Sequence, residues 1–176
     1  MDNIDEIIEQ IKQSNDISSS LKIINNALEI DPENPRLLFE LGRIYLKLKN
    51  VTKAKEKFLK AHKLDKTDIY VMFELSKIYL RDKNNKDLKQ GELLLDEILK
   101  IRPGDTYAIF EKARLLVKKG EYDEAEKKFF SLLYTRSHVH AKLELGKLYV
   151  KKKIEKKHIK TLLKFYIIIL MINMQD

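Results

Sequence analysis

Four histidines, no cysteine and a large stock of lysine are what this 176-residue sequence offers for chemistry. Of His62, His138, His140 and His158, only His138 and His140 are close together, and no carboxylate stands beside them at metal-ligand spacing. They read as a surface pair near a turn. Without cysteine there is no thiolate zinc site, disulfide framework or cysteine nucleophile. No Gly-rich phosphate cradle or nucleophile motif is present. No catalytic residue, metal site or cofactor is therefore expected. What does recur is a set of cations, Arg43, Lys77, Arg114 and Lys147, and a set of apolar side chains, Phe39, Phe73, Phe110 and Leu143.

Their recurrence follows from the elements that carry them. Leu41-Gly42-Arg43-Ile44-Tyr45 returns 34 residues later as Leu75-Ser76-Lys77-Ile78-Tyr79, and again as Leu145-Gly146-Lys147-Leu148-Tyr149. Lys112-Ala113-Arg114-Leu115-Leu116 lies between, keeping the small residue but not the flanking Leu and Tyr. A second signature follows: Ala54, Phe58 and Ala61, then Gly91, Leu95 and Ile98, then Ala125, Phe129 and Leu132. Spacings of three, four and seven place each set on one helix face. Only five Gly and three Pro are present, too few for the turns of an all-β domain. Asp31-Pro32, Asp65-Lys66 and Arg102-Pro103-Gly104-Asp105 fall between blocks as turns. Ile4, Ile7, Ile8 and Ile11, then Ile24, Ala27 and Ile30, extend the frame to the first 34 residues. Five two-helix units result, at approximately 1–34, 35–68, 69–105, 106–138 and 139–172, the first and last atypical and capping. Such a unit cannot bury its apolar stripe alone, so neighbours stack and share one core.

In these residues the chain resembles the tetratricopeptide repeat family, which pairs a Leu-Gly...Tyr helix with an Ala...Phe...Ala helix and ends each unit with Pro. The unit from Pro35 to Asp68 matches best. Lys66 stands where the family prefers Pro, Ser76 where it prefers Gly and Lys112 where it prefers Leu, and the helix after Tyr149 is a poor match. The resemblance implies an all-α, right-handed superhelical solenoid of stacked antiparallel helix pairs. Close helix approach is expected at Gly42, Ala113 and Gly146. From Tyr79 to Gly91 there are three more residues than from Tyr45 to Ala54, which reads as a longer turn around Asp82–Lys86.

With about 100° per residue, Arg36, Phe39, Arg43, Leu46 and Lys47 fall opposite the packed arc of Leu38, Leu41, Gly42 and Tyr45. The same offsets give four columns: Phe39, Phe73, Phe110, Leu143; Arg43, Lys77, Arg114, Lys147; Lys47, Arg81, Lys118, Lys151; and Arg36, Tyr70, Tyr107, His140. The resemblance implies that these columns line a concave face where partner peptides dock. An aromatic row flanked by cations suits an acidic segment with apolar anchors. In the first unit the corresponding Asp2, Asp5, Glu9, Lys12 and Gln13 are largely acidic, as in a cap. Family members that hold chaperone tails use a two-carboxylate clamp with Asn in the Arg43 column, and this sequence does not match them.

Charge separates the rival readings. The net charge is +8, with 2 basic and 8 acidic residues in 1–34, 24 and 16 in 35–138, and 9 and 3 in 139–176. The cations are 29 Lys against 6 Arg, and Arg is the better bidentate reader of phosphate, which makes nucleic acid the lesser alternative. Lys151–Lys153, Lys156 and Lys157 precede the apolar segment Leu162–Met174, so a membrane-surface adaptor is a further alternative. The 13 residues of that segment fall short of the about 20 that span a bilayer. It reads as a packed final helix or a homodimer contact. The acidic start, Met1 to Glu6, lacks the basic and apolar regions of a secretory signal, which points to the cytoplasm.

Overall fold

The computed structural model describes residues 2–14, 16–81, 85–135, 139–153 and 155–156. The chain divides into two compact units, Met1–Ile101 and Arg102–Asp176. The first holds six helices: α1 (Asp2–Gln13), α2 (Ile17–Ile30), α3 (Pro35–Lys47), α4 (Val51–Leu64), α5 (Ile69–Arg81) and α6 (Asn85–Ile101). The second holds α7 (Thr106–Lys119), α8 (Tyr122–Ser131) and α9 (139–153). Among the described residues there is no strand, and the expected all-α architecture of paired helices is the one observed.

Short polar side chains decide where the helices begin. Asn34 accepts from the backbone N–H groups of Arg36 and Leu37, with Pro35 at the first helical position, where a missing N–H costs nothing. Asp16, Asn50, Asp68 and Asp105 cap α2, α4, α5 and α7 in the same way. Gly120 closes α7 with a φ of +82°, a left-handed conformation that only glycine adopts without strain.

Burial then follows the repeat. In the first unit Ile8, Ile11, Ile24, Ala27, Leu37, Leu41 and Ile44 form one cluster across α1, α2 and α3. A Cβ added to Gly42 would lie 2.5 Å from the ring of Phe58, so α3 and α4 can approach as they do only with glycine there. Gly91 serves α5 and α6 similarly, 2.9 Å from Leu80. Ser76 is fully buried where the family prefers Gly, and its hydroxyl donates to the Phe73 carbonyl at 2.9 Å, so no polar group is stranded.

The extra residues after Tyr79 are not in a longer turn. Three positions separate α3 from α4 and three separate α5 from α6, but α6 runs 17 residues against 14 in α4. The insertion extends the helix at its start, where Asp87 pairs with Lys55 of α4 at 3.4 Å. A helical insertion keeps its backbone hydrogen bonds, which a structureless one would leave to water.

In the second unit Ala113, Leu116, Ala125, Phe129, Leu132, Ala141, Leu145 and Leu148 form the core. Polar groups reinforce the contact of α9 with α8. Lys152 donates to Asp123 at 2.7 Å and to Glu126, Tyr149 donates to Glu126 at 2.6 Å, and Tyr122 donates to Glu155. Gly146 is exposed, and no described atom lies within 4 Å of an added Cβ. Leu162–Met174, expected as a packed final helix or a homodimer contact, lies outside the described residues, as do His138 and His158. No described helix is long and apolar enough to cross a membrane.

Candidate functional site

The site is built from the first helix of successive pairs. In the first unit α1, α3 and α5 enclose a shallow cavity of about 330 Å³, lined by Ile8, Lys12, Arg36, Phe39, Glu40, Arg43, Asp68 and Tyr70. Four of the expected residues, Arg36, Phe39, Arg43 and Tyr70, thus meet in one place. Ile8 and Lys12 come from α1, so the helix pair expected to act as a cap also lends a wall. Arg36 reaches back to Asp5, and that guanidinium holds the Asp5 carboxyl below its ordinary range.

Phe39 is half-buried rather than fully displayed. Its ring meets Phe58 at 5.7 Å between centroids, so one side is seated on α4. The guanidinium of Arg43 sits 5.9 Å from the Phe39 centroid. The second unit repeats the arrangement: Phe110 packs edge-on against Phe129 at 5.7 Å, His140 approaches the same ring at 6.4 Å, and Arg114 lies 6.0 Å from its centroid. A cation near an aromatic face gains about 0.5–1 kcal/mol when exposed.

Every cation of the Arg43 column is engaged by a carboxylate three residues before it. Arg43 Nη1 donates to both oxygens of Glu40 at 3.0 and 3.1 Å, and Arg114 Nη1 to both of Glu111 at 3.1 and 3.3 Å. Lys77 pairs with Glu74, and Lys147 with Glu144 at 2.8 Å. Within each pair the carboxylate is the recessed member: the Glu40 side chain is 9% exposed and that of Arg43 43%. These four glutamates are not among the residues expected of the site. The signal was available, because Glu40, Glu74, Glu111 and Glu144 recur with the same period as the cations, and residues three apart share a helix face.

The remaining expected residues occupy other surroundings. Phe73 is half-buried, while Lys47 and Arg81 stand exposed in the last turns of α3 and α5. In the second unit Tyr107 and Lys118 are exposed on α7, and Lys151 lies 5.4 Å from the ring centroid of Tyr122. His62 is half-buried beside a different cavity of about 490 Å³, with Lys66, Met72, Glu97, Lys100 and Ile101. No three His, Cys, Asp or Glu side chains are grouped to hold a metal among the described residues.

Comparison with known proteins bears on the fold. Residues 15–136 match the family model described as the cytochrome c-type biogenesis protein H TPR domain. A comparison with curated protein sequences finds no match. Among solved structures, the MamA protein superposes with a TM-score of 0.71 at 18% identity, over 88% of this chain and 84% of that one. YrrB, described as a TPR protein with an unusual peptide-binding site, gives 0.68 at 21% identity, over 82% and 74%. Yeast Tom70 gives 0.76 at 19% identity, over 87% of this chain and 34% of that one. At these identities the likeness is one of fold.

Proposed function

The chain belongs to the cytochrome c-type biogenesis protein H family of tetratricopeptide repeat domains, and from that premise we propose that it is a non-catalytic interaction module that holds a protein segment in the cavity of α1, α3 and α5. The observation that carries this reading is the meeting of Ile8, Phe39 and Tyr70 with Lys12, Arg36 and Arg43 in one open cavity. An acidic segment with apolar anchors fits it: buried rings supply affinity, and charge supplies steering and selection. Of the five guanidinium donors of Arg43, Glu40 takes only those on Nη1. The cation is thereby held on its ring with donors left for a partner carboxylate, which lowers the ordering cost of binding.

The test must remove cations without stranding their recessed carboxylates. Replacing Arg43 alone with Glu would set a second carboxylate beside Glu40, and any loss of binding could then come from loss of fold. The suitable variant carries Glu40→Gln, Arg43→Gln, Glu74→Gln and Lys77→Gln together. A partner segment identified by affinity capture from the source cell, then purified, is titrated against both proteins by calorimetry. The variant should keep its helix content by circular dichroism and bind at least about tenfold more weakly, a loss of about 1.4 kcal/mol. Equal affinity with the fold intact removes the groove from consideration.

A further inference from the structure

The second helix pair breaks the repeat at two positions, and both breaks meet in one cavity. The residue that follows Ala27, Ala61, Ile98 and Leu132 in the four pairs is Leu28, His62, Leu99 and Leu133, so a histidine stands in a column of leucine. At the turn after it, Lys66 takes the place that Pro32 and Pro103 hold in the first and third pairs. Leu28 and Leu133 pack against the cores of their units. His62 instead lines, with Lys66, Met72, Glu97, Lys100 and Ile101, the cavity of about 490 Å³ formed by α4, α5 and α6. It shares no residue with the cavity of α1, α3 and α5. The Nδ1 atom of His62 is buried without a hydrogen-bond partner, a cost that leucine would not carry.

We propose that this cavity binds a small apolar group bearing one carboxylate, either a free acid or the end of a polypeptide. The unpartnered Nδ1 fixes the donor. Buried donors are left unpaired more rarely than buried acceptors, so the ring proton belongs on Nε2, which is not sealed and offers an N–H to a ligand oxygen. Lys66 and Lys100 are exposed, and neither has an ion pair among the described residues, unlike the cations of the Arg43 column. Glu97 is the carboxylate of the lining. Asp65, beside Lys66, accepts from the N–H and the hydroxyl of Thr67, both at 2.8 Å. Two ammonium groups against Glu97 leave one positive charge in the lining, which matches a monoanion, whereas a dianionic phosphate would meet Glu97 in excess. Met72, fully buried, and Ile101, 48% exposed, supply an apolar floor and rim for the rest of the ligand. The volume lies within the range of about 300–1,000 Å³ typical of small-molecule sites.

Nuclear magnetic resonance on the untagged, isotope-labelled full-length chain tests this with isocaproate, with its uncharged amide, and with the peptide Gly-Ser-Gly-Leu carrying a free or an amidated end. Isocaproate should give saturable shifts at the backbone amides of His62, Lys66 and Lys100, and isocaproamide should bind at least about tenfold more weakly. Shifts at the same amides by the peptide with a free end assign the site to chain termini, and shifts by isocaproate alone assign it to free acids. Equal response to acid and amide, or no saturable response to either acid, would overturn the proposal. His62→Leu with Lys66→Pro restores the residues of the neighbouring pairs, and the extended backbone of Asp65 suits a following proline. This variant should keep its helix content and melting temperature while isocaproate binding falls at least about tenfold, and undiminished binding would count against the site. Long-range proton–nitrogen spectra of the imidazoles give a reading that needs no variant to fold. In the unmodified chain His62 should carry its proton on Nε2, and that nitrogen should shift when isocaproate is added. A proton on Nδ1, or an Nε2 unmoved by the acid, would sink the idea.

Discussion

At the scale of single residues, burial makes the groove ion pairs unequal partnerships. Glu40 is 7% exposed as a residue, whereas Arg43 keeps nearly half of its side chain in water. Removing Arg43 strands a recessed carboxylate, and removing the Glu40 charge leaves a guanidinium that water still reaches. Arg43→Gln should therefore lower stability by about 1–3 kcal/mol, while Glu40→Gln should cost about 0–1 kcal/mol, the range of exposed pairs. A urea-denaturation double-mutant cycle measures both, and equal costs would mean that Glu40 is hydrated in the fold. Gly42 offers a separate test. A Cβ 2.5 Å from the Phe58 ring must displace it, so Gly42→Ala should lose about 1–3 kcal/mol, against the gain of about 0.5–1 kcal/mol usual for this change in a helix. The type and spacing of the cations and rings were legible in the sequence because both follow the helical period. Their pairing is not visible in a summed charge, because it depends on carboxylates three residues before each cation on the same helix face.

At the scale of elements, helix starts depend on single caps and the last contact depends on a polar network. Asp105 accepts from the N–H groups of Tyr107 and Ala108 at 3.0 Å, so Asp105→Ala should lower stability by about 1 kcal/mol in thermal or urea unfolding. Between α8 and α9, Lys152 holds the Asp123 carboxyl below its ordinary range, and Lys152 and then Tyr149 do the same for Glu126. The Lys152 ammonium is raised by Asp123 and then Glu126, and the Tyr149 hydroxyl by Glu126. A depressed carboxylate contributes stability that is present above its unfolded pKa and lost as pH falls through the folded one. A raised lysine or tyrosine contributes stability that is present below its unfolded pKa and lost as pH rises through the folded one. The melting temperature should therefore be flat between about pH 5 and 9 and fall on both sides, and Lys152→Met should lower the plateau and soften both limbs. The network also assigns Lys152 to the fold, which takes one cation from the run that a membrane-surface reading would use. The frame of helices was readable from periodicity, but the lengthening of α6 was not, because a polar insertion at a helix start reads the same as a longer turn.

At the scale of the whole molecule, the net charge of +8 is not concentrated in the Arg43 column, because Arg43, Lys77, Arg114 and Lys147 each face a glutamate. Binding to RNA or DNA should accordingly be weak at physiological salt, without the steep log-log salt dependence of a protein that neutralises many phosphates. Filter binding across a salt series checks this, and a slope corresponding to six or more phosphates would revive the nucleic-acid alternative. The 34-residue recurrence was sufficient by itself to specify helix pairs, their apolar faces and the family, since a repeating period constrains every unit at once. Only the folded chain decided that α1 joins the wall of the cavity, that Phe39 is half-seated on Phe58 and that recessed glutamates hold the cations. Those facts depend on distances between helices and on which neighbour arrives, and a helical wheel, which describes one helix at a time, carries no information about either.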